Sequence, residues 1–455
     1  MKIYAIKGGH GVPMRRARGV KVPHLKSTEG SSPRRIPVPE RLILPMSMHI
    51  GAPARPVVAV GDTVKVGQLV AEGVGPVSAP IHSGVSGTVK AIEDFLLPSG
   101  RRVPAIILES DGVQTVFEGL AAPQVTDLAS FQAAVRESGV VGLGGAGFPT
   151  AAKLAVKDLS QIDTLLVNGA ECEPYITSDT RTMLDETALV LTGIELVRQY
   201  LKIPNVIIGI EANKPRCIEA FQALCAGKPA IAVKALPPLY PQGGEKVLVL
   251  TALGRIIPEG KLPLDVGALV LNCTTLASLA RYIQTGMPLV EKCVTVAGPA
   301  VREPQNVHVP VGTPLQDVFA FCGGFSEEPR KVLYGGPMMG TAVAGLETPV
   351  LKSTNAVLAF GEKDAAPPPE TACIRCGKCI DHCPLNLMPC DIETAFRRKD
   401  GAALDKLKVK LCMECGCCAY ICPARRPLVQ THKRAKGMLN AYQAEKKARE
   451  EGAQP

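Results

Sequence analysis

Ten of the sixteen cysteines in this 455-residue chain lie between Cys373 and Cys422, and eight of them repeat one spacing. Cys373-x2-Cys376-x2-Cys379-x3-Cys383-Pro384 is followed by Cys412-x2-Cys415-x2-Cys418-x3-Cys422-Pro423. Three thiolates two residues apart can wrap one iron–sulfur cubane, while the fourth, turned away by its proline, reaches the neighbouring one. That exchange would put Cys373, Cys376, Cys379 and Cys422 on one [4Fe–4S] cluster, and Cys412, Cys415, Cys418 and Cys383 on the other. Zinc sites need only four ligands, usually as two CxxC pairs, so two runs of four are hard to explain as zinc. Disulfide scaffolds belong to short secreted chains whose cysteines are spread out. Cys390 and Cys417 fall outside the pattern and read as buried bystanders. His382, beside Cys383, is either an ordinary surface histidine or a tuner of cluster potential.

The length calls for several domains, because single cores stop growing well below it. Residues 1–7 lack the apolar stretch of a signal peptide, and no run is long enough to span a membrane, so a reducing cytoplasm is expected. The formal charge of +9 gathers partly at Arg15, Arg16, Arg18, Lys21, Lys26, Arg34 and Arg35, and again at Arg425, Arg426, Lys433, Arg434 and Lys436. It suits an anionic membrane surface, an acidic electron carrier or plain solvation. With aromatic residues at 4%, base stacking on nucleic acid is disfavoured.

Short Val/Ile/Leu runs separated by glycine turns over 41–115 predict a small β-sandwich or barrel. This pattern resembles a biotinyl/lipoyl-type domain, although the stretch corresponding to its cofactor-bearing hairpin, 72–78, has no lysine. Over 116–290, strand-like runs at 164–167, 206–210 and 268–271 alternate with helical ones, which argues for a largely parallel, Rossmann-like sheet. The 291–345 region resembles a β-grasp module of the SLBB type. A linker at 346–370 then leads to a helical two-cluster module at 371–430 and a charged helical tail at 431–455, while 1–40 is read as extended.

Gly142-x-Gly144-x-x-Gly147 meets the dinucleotide pattern formally, but a helical stretch at 131–139, and no strand, precedes it. Residues 144–150 with Lys153, followed by a strand ending in Asn168-Gly169-Ala170-Glu171-Cys172-Glu173-Pro174, resemble the flavin-binding subunit of respiratory complex I and its hydrogenase relatives. The resemblance implies noncovalent FMN with its phosphate on Gly142, Gly144, Gly145 and Gly147, contacted by Lys153, Asn168 and Glu171. It places Phe148 and Glu173 towards NAD(H). Two further stretches extend it: Tyr240-Pro241-Gln242-Gly243-Gly244-Glu245, implying that Tyr240, Gly243 and Glu245 close over flavin and nicotinamide, and Leu271-Asn272-Cys273-Thr274-Thr275, implying that Asn272 and Thr275 lie under the flavin. Ala170 and Gly244 stand where that subunit has acidic residues.

Taken together, residues 7–13, 44–53 and 77–87, with Arg375-Cys376-Gly377-Lys378-Cys379 and Pro423-Ala424-Arg425-Arg426-Pro427-Leu428, resemble RnfC in its short form, over about 1–435. That family implies a peripheral subunit on the cytoplasmic face of the bacterial membrane, in a ferredoxin:NAD oxidoreductase complex. It would pass electrons between NAD(H), FMN and two [4Fe–4S] clusters. Its partners would be a ferredoxin-type iron–sulfur subunit and integral membrane subunits that move Na⁺ or H⁺. Two other readings stay open: a soluble iron–sulfur flavoprotein reductase of the cobalamin-reductase kind, and a noncatalytic iron–sulfur adaptor.

Overall fold

The structure, a computed structural model, describes residues 18–452, and all elements, counts and absences refer to those residues. The expected motif at 7–13, with Arg15 and Arg16, lies outside them. The chain divides into two compact units: one is His24–Leu236 with Gly267–Ala366, and the other gathers Met1–Pro23, Pro237–Val266 and Pro367–Pro455. Residues 237–266, expected within the 116–290 region, therefore group with the cysteine module.

In the larger unit, strands Arg41–Pro45, Arg102–Ser110, Gly87–Leu96 and Thr63–Val64 form one antiparallel sheet. Strands Arg55–Pro56, Leu69–Glu72 and Ile81–His82 form a second. Leu42, Leu44, Val64, Val70, Ile81, Val89, Ile106 and Leu108 fill the sandwich. Alternation in Arg102–Ser110 sends Val103 and Ala105 inward while Arg102 and Pro104 face solvent, as a half-buried strand requires.

Four parallel strands form the α/β core in the spatial order Ile231–Leu236, Asn205–Glu211, Thr164–Gly169, Ala268–Asn272. The first of these was not expected from sequence, since only its end residues, Ile231 and Leu236, are buried. Chain order reverses between Thr164–Gly169 and Ala268–Asn272, so the crevice beyond their carboxyl ends is the switch point where open α/β sheets bind ligands. Helices Thr187–Tyr200 and Cys273–Thr285 pack together over the sheet. Gly193 permits their close approach, because a Cβ there would stand 2.2 Å from the Leu276 carbonyl oxygen.

A six-stranded mixed sheet follows, ordered Arg34–Arg35, Gln305–Pro310, Glu291–Ala297, Ala356–Phe360, Lys331–Tyr334, Thr341–Ala342. Helix Leu315–Phe321 covers it over a core of Val294, Val296, Val307, Val309, Phe319 and Val357. Two boundaries need correction. The 346–370 stretch contains a central strand: Ala356–Phe360 is a short apolar run buried at every position, paired on both sides. The N-terminal stretch likewise contributes an edge strand, Arg34–Arg35.

In the smaller unit, helices Pro389–Arg397, Gly401–Lys406 and Leu428–Gly452 enclose Ile392, Leu404, Val409, Ala435 and Leu439. The expected tail from 431 is the continuation of that last helix. Its residues Leu428, His432, Ala435 and Leu439 recur at helical spacing and are buried, so its first half is core. Truncating Leu439 to Ala there would cost about 2–5 kcal/mol. No described helix is long and apolar enough to cross a membrane.

Candidate cofactor sites

The glycine loop is built without a leading sheet strand. Helix Leu128–Glu137 ends, Val141 bridges to Pro149, and the Gly142 amide donates to the Phe148 carbonyl at 2.9 Å, closing residues 142–147 into a tight loop. This explains the departure from the dinucleotide fingerprint, since loop closure here depends on a turn and not on a strand-to-helix junction. The loop lies on the switch point. The Leu143 amide donates to Thr275 Oγ1 at 3.0 Å, and a Cβ on Gly144 would stand 2.3 Å from Asn272 Nδ2. A side chain at 144 would therefore displace Asn272, whereas nothing lies within 4 Å of a Cβ on Gly145. The Gly147 carbonyl accepts from the Ile50 amide at 3.1 Å, tying the loop to the sandwich module.

Asn168 and Asn272 end the two strands that flank the switch point. Asn168 Oδ1 accepts from the Ala170 amide at 3.2 Å, turning the chain sharply after the strand. Asn272 caps helix Cys273–Thr285 by accepting from the Thr275 amide at 3.1 Å, and its Nδ2 donates to Asp179 at 2.8 Å. Thr274 Oγ1 also donates to Asp179, at 2.6 Å. Burial, then the nearby Glu171 charge, push the Asp179 carboxyl up to about 6, against the pull of those two hydrogen bonds.

Glu171, expected at the loop, and Glu173, expected towards NAD(H), both accept protein hydrogen bonds. Glu171 accepts from the Asp179 amide at 2.6 Å and the Thr180 amide at 3.3 Å, satisfying the free donors of helix Ser178–Asp185. Its backbone is left-handed at φ +45, and the Lys26 ammonium holds its carbonyl at 3.0 Å. Lys214, buried and paired with Glu211 at 2.9 Å, donates to the Ala170 carbonyl at 2.7 Å. Glu173 accepts from the Met338 and Met339 amides at 3.1 and 2.9 Å. Lys153 stands in the short helix Thr150–Leu154, and Phe148 is 37% exposed. Sequence reasoning missed Asp179, Lys26 and Lys214. An aspartate in a helix's first turn reads as an ordinary dipole partner, and neither lysine sits in a recognisable motif.

A phosphorylated flavin would suit this crevice. The glycine backbone is open at 145, a lysine follows the loop, and two buried hydroxyls, Thr150 Oγ1 and Ser178 Oγ, have no protein partner. Amide-lined, cation-bearing loops of this kind receive phosphate.

The two cysteine runs fold alike. Arg375 and Glu414, at φ +54 and +59, precede Cys376 and Cys415, and Gly377 and Gly416, at φ +76 and +80, follow them. In each run the left-handed residue turns its amide onto the first thiol: Arg375 on Cys373 and Glu414 on Cys412, both at 3.4 Å. Left-handed Asn386 and Arg425 occupy matching places after the two Cys-Pro pairs. Cys383 lies within electrostatic reach of Cys412, Cys415 and Cys418, and Cys422 within reach of Cys379. Burial pushes the Cys412 thiol up to about 11 and raises Cys383 and Cys418, so ligation must supply the energy of ionising them. No three His, Cys, Asp or Glu side chains among the described residues are close enough to hold a single metal ion. A cubane spreads its thiolates around a larger body. Tyr240 belongs to this same unit: its hydroxyl donates to the Cys415 carbonyl at 2.8 Å, and its backbone pairs with Val20. Gly243 precedes helix Glu245–Leu253, also in this unit.

Comparison with known proteins adds three domain matches: the Nuo51 FMN-binding domain over residues 135–281, the RnfC barrel sandwich hybrid domain over 14–113, and the SLBB domain over 293–342. The C subunit of the proton-translocating ferredoxin:NAD(+) oxidoreductase complex of Clostridium ljungdahlii is 40% identical over 356 residues, 78% of this chain and 78% of that protein. Its counterpart in the Na(+)-translocating ferredoxin:NAD(+) oxidoreductase complex of Acetobacterium woodii is 41% identical over 364 residues, 79% of this chain and 82% of that protein. A solved NAD+-reducing [NiFe]-hydrogenase chain aligns at a TM-score of 0.49 and 18% identity, over 67% of this chain and 63% of its own. That likeness is too slight to add to the fold already described.

Proposed function

The chain belongs to the RnfC family, the C subunits of ion-translocating ferredoxin:NAD oxidoreductase complexes, and on that premise we propose that it is the peripheral electron-transfer subunit of such a complex. In this reading it holds FMN noncovalently, meets NAD(H), and carries two [4Fe–4S] clusters. Bound FMN supplies the exchange between hydride pairs and single electrons that joins nicotinamide chemistry to cluster chemistry.

The residues then divide the work. Backbone amides around Gly144, Gly145 and Gly147, with Lys153, receive the phosphate. Asn168, Asn272 and Thr275 set the floor of the crevice, while Glu171 acts from behind by fixing helix Ser178–Asp185. Phe148 and Glu173 are assigned to the nicotinamide side. Cys373, Cys376, Cys379 and Cys422 hold the first cluster; Cys412, Cys415, Cys418 and Cys383 hold the second. Cys373 and Cys376 are exposed whereas Cys383, Cys415 and Cys418 are buried, so the two clusters meet different dielectric surroundings and should differ in potential. Ion transport is assigned to integral membrane partners, and a ferredoxin-type subunit to the electron supply, on the cytoplasmic face of the membrane.

One observation carries this reading: a glycine loop docked on paired strand-end asparagines occurs in the same chain as a twice-repeated thiolate turn. Anaerobic isolation of the full chain with analysis of flavin, iron, sulfide and zinc tests it. FMN together with iron and sulfide in cubane proportion is expected. Zinc without sulfide would overturn the cluster assignment, and absence of FMN after reconstitution would favour a noncatalytic adaptor.

A further inference from the structure

We infer that Asp179 is a positioning residue that fixes the polarity of the flavin site by forcing Asn272 to present a hydrogen-bond donor to the glycine loop; this rests on the reading that FMN occupies the loop. The Asn272 carboxamide is held at both ends. Its Oδ1 faces the Thr275 amide, which can only donate, and its Nδ2 faces Asp179, which when ionised can only accept. Both neighbours therefore specify one orientation of the amide.

Nδ2 carries two hydrogens, and one of them is taken by Asp179. Gly144 lies on the other side of the same nitrogen, close enough that a Cβ there would stand 2.3 Å away. Asp179 Oδ2 itself would be 3.3 Å from that Cβ. The loop thus packs against the donor end of this carboxamide, an end that would match an acceptor oxygen on an anionic or carbonyl-bearing ligand, with Asp179 Oδ2 farther from the same point.

Asp179 is itself over-determined. Its second oxygen accepts from Thr274 Oγ1 at 2.6 Å, its side chain is buried, and its backbone amide is held by Glu171. The nearby Glu171 charge disfavours this carboxylate, and the hydrogen bonds from Thr274 and Asn272 offset that repulsion. Without the carboxylate, only the Thr275 amide would still specify this orientation, and a carboxamide that turned over would oppose a ligand oxygen with its carbonyl.

Two variants of the full chain, stripped of flavin and titrated with FMN by fluorescence quenching, separate polarity from mere scaffolding. Asp179→Asn removes the acceptor-only partner, and FMN affinity should fall about ten-fold or more. The exchange variant, Asp179→Asn with Asn272→Asp, restores every hydrogen bond of the pair: Asn at 179 donates to Asp at 272, which still caps the helix at the Thr275 amide. It also conserves net charge, but it turns an acceptor towards Gly144. Cluster absorbance and unfolding midpoint should match wild type in this variant, yet FMN binding should stay lost. Recovery of wild-type FMN affinity in the exchange variant would overturn the inference and assign Asp179 a scaffolding role. So would unchanged affinity in Asp179→Asn alone. Failure of the wild-type chain to bind FMN would instead overturn the parent reading of the loop.

Discussion

Asn168 and Asn272 are direct register partners across the two parallel strands whose chain order reverses, so the carboxyl ends of both strands place an amide side chain at the same point of the crevice. The glycine loop closes over that pair from an adjoining turn. Position in the sheet, more than any single motif, carries the proposal that this is the binding site, because ligands of open α/β sheets bind beyond the carboxyl ends of parallel strands.

Lys153 follows the loop within one turn of helix and is the cation assigned to the flavin phosphate. Charge-assisted hydrogen bonds are worth roughly 1.5–3 kcal/mol, so Lys153→Ala should weaken FMN binding by about ten- to a hundred-fold. Iron and sulfide content should not change. Equilibrium dialysis of FMN against the variant checks this, and unimpaired retention would remove the phosphate from this lysine.

Thr275 Oγ1 receives the Leu143 amide and is almost fully buried. Thr275→Val keeps the shape while stranding a buried N–H, at a cost of about 1–3 kcal/mol. Chemical denaturation should show that loss in the larger unit, together with weaker FMN retention. A variant as stable as wild type that binds FMN normally would show that the loop does not depend on this anchor.

The crossed ligand sets predict a specific pairing of defects. Cys422→Ser should abolish the same cluster as Cys373→Ser, and Cys383→Ser the same one as Cys412→Ser. Electron paramagnetic resonance of the reduced variants distinguishes the two signals. If Cys422→Ser instead matched Cys412→Ser, each run would bind its own cluster without exchange.

Stability should rise with pH through the mildly acidic range. Burial, then the nearby Lys352 ammonium, depress His82 to about 3 and His49 to about 4, against an ordinary 6.5. The unfolded chain therefore binds more protons than the native one between those values and 6.5. Stability from these rings is full above about pH 6.5 and is lost as pH falls towards 4, by on the order of a few kcal/mol. Asp179, raised to about 6, has the opposite sign over pH 4–6, because its native form holds the extra proton. His82→Leu should flatten the slope of unfolding midpoint against pH between 5 and 7. An unchanged slope would show that His82 does not titrate with folding.

Much of this was legible from the chain. The Cys373 and Cys412 runs are visible as one repeated spacing, and the runs at 164–167, 206–210 and 268–271 each became a parallel strand because short, mainly apolar stretches suit a sheet covered on both faces. Ala356–Phe360 was hidden because so short an apolar run after a loop reads equally as linker. The paired roles of Glu171 and Asp179 were hidden for another reason. Carboxylates next to a glycine loop suggest ligand contacts, whereas their actual hydrogen bonds depend on a helix start that only tertiary placement reveals.

Flavin and clusters in this chain are proposed to form one redox path from nicotinamide. Stepwise NADH addition to the anaerobic, reconstituted full-length chain, followed by visible absorbance and electron paramagnetic resonance, addresses it directly. Loss of flavin absorbance near the start of the titration, with reduced-cluster signals growing as NADH is added, is the predicted result. A flavin that stays oxidised beside excess NADH, with clusters reducible only by a chemical reductant, would contradict it.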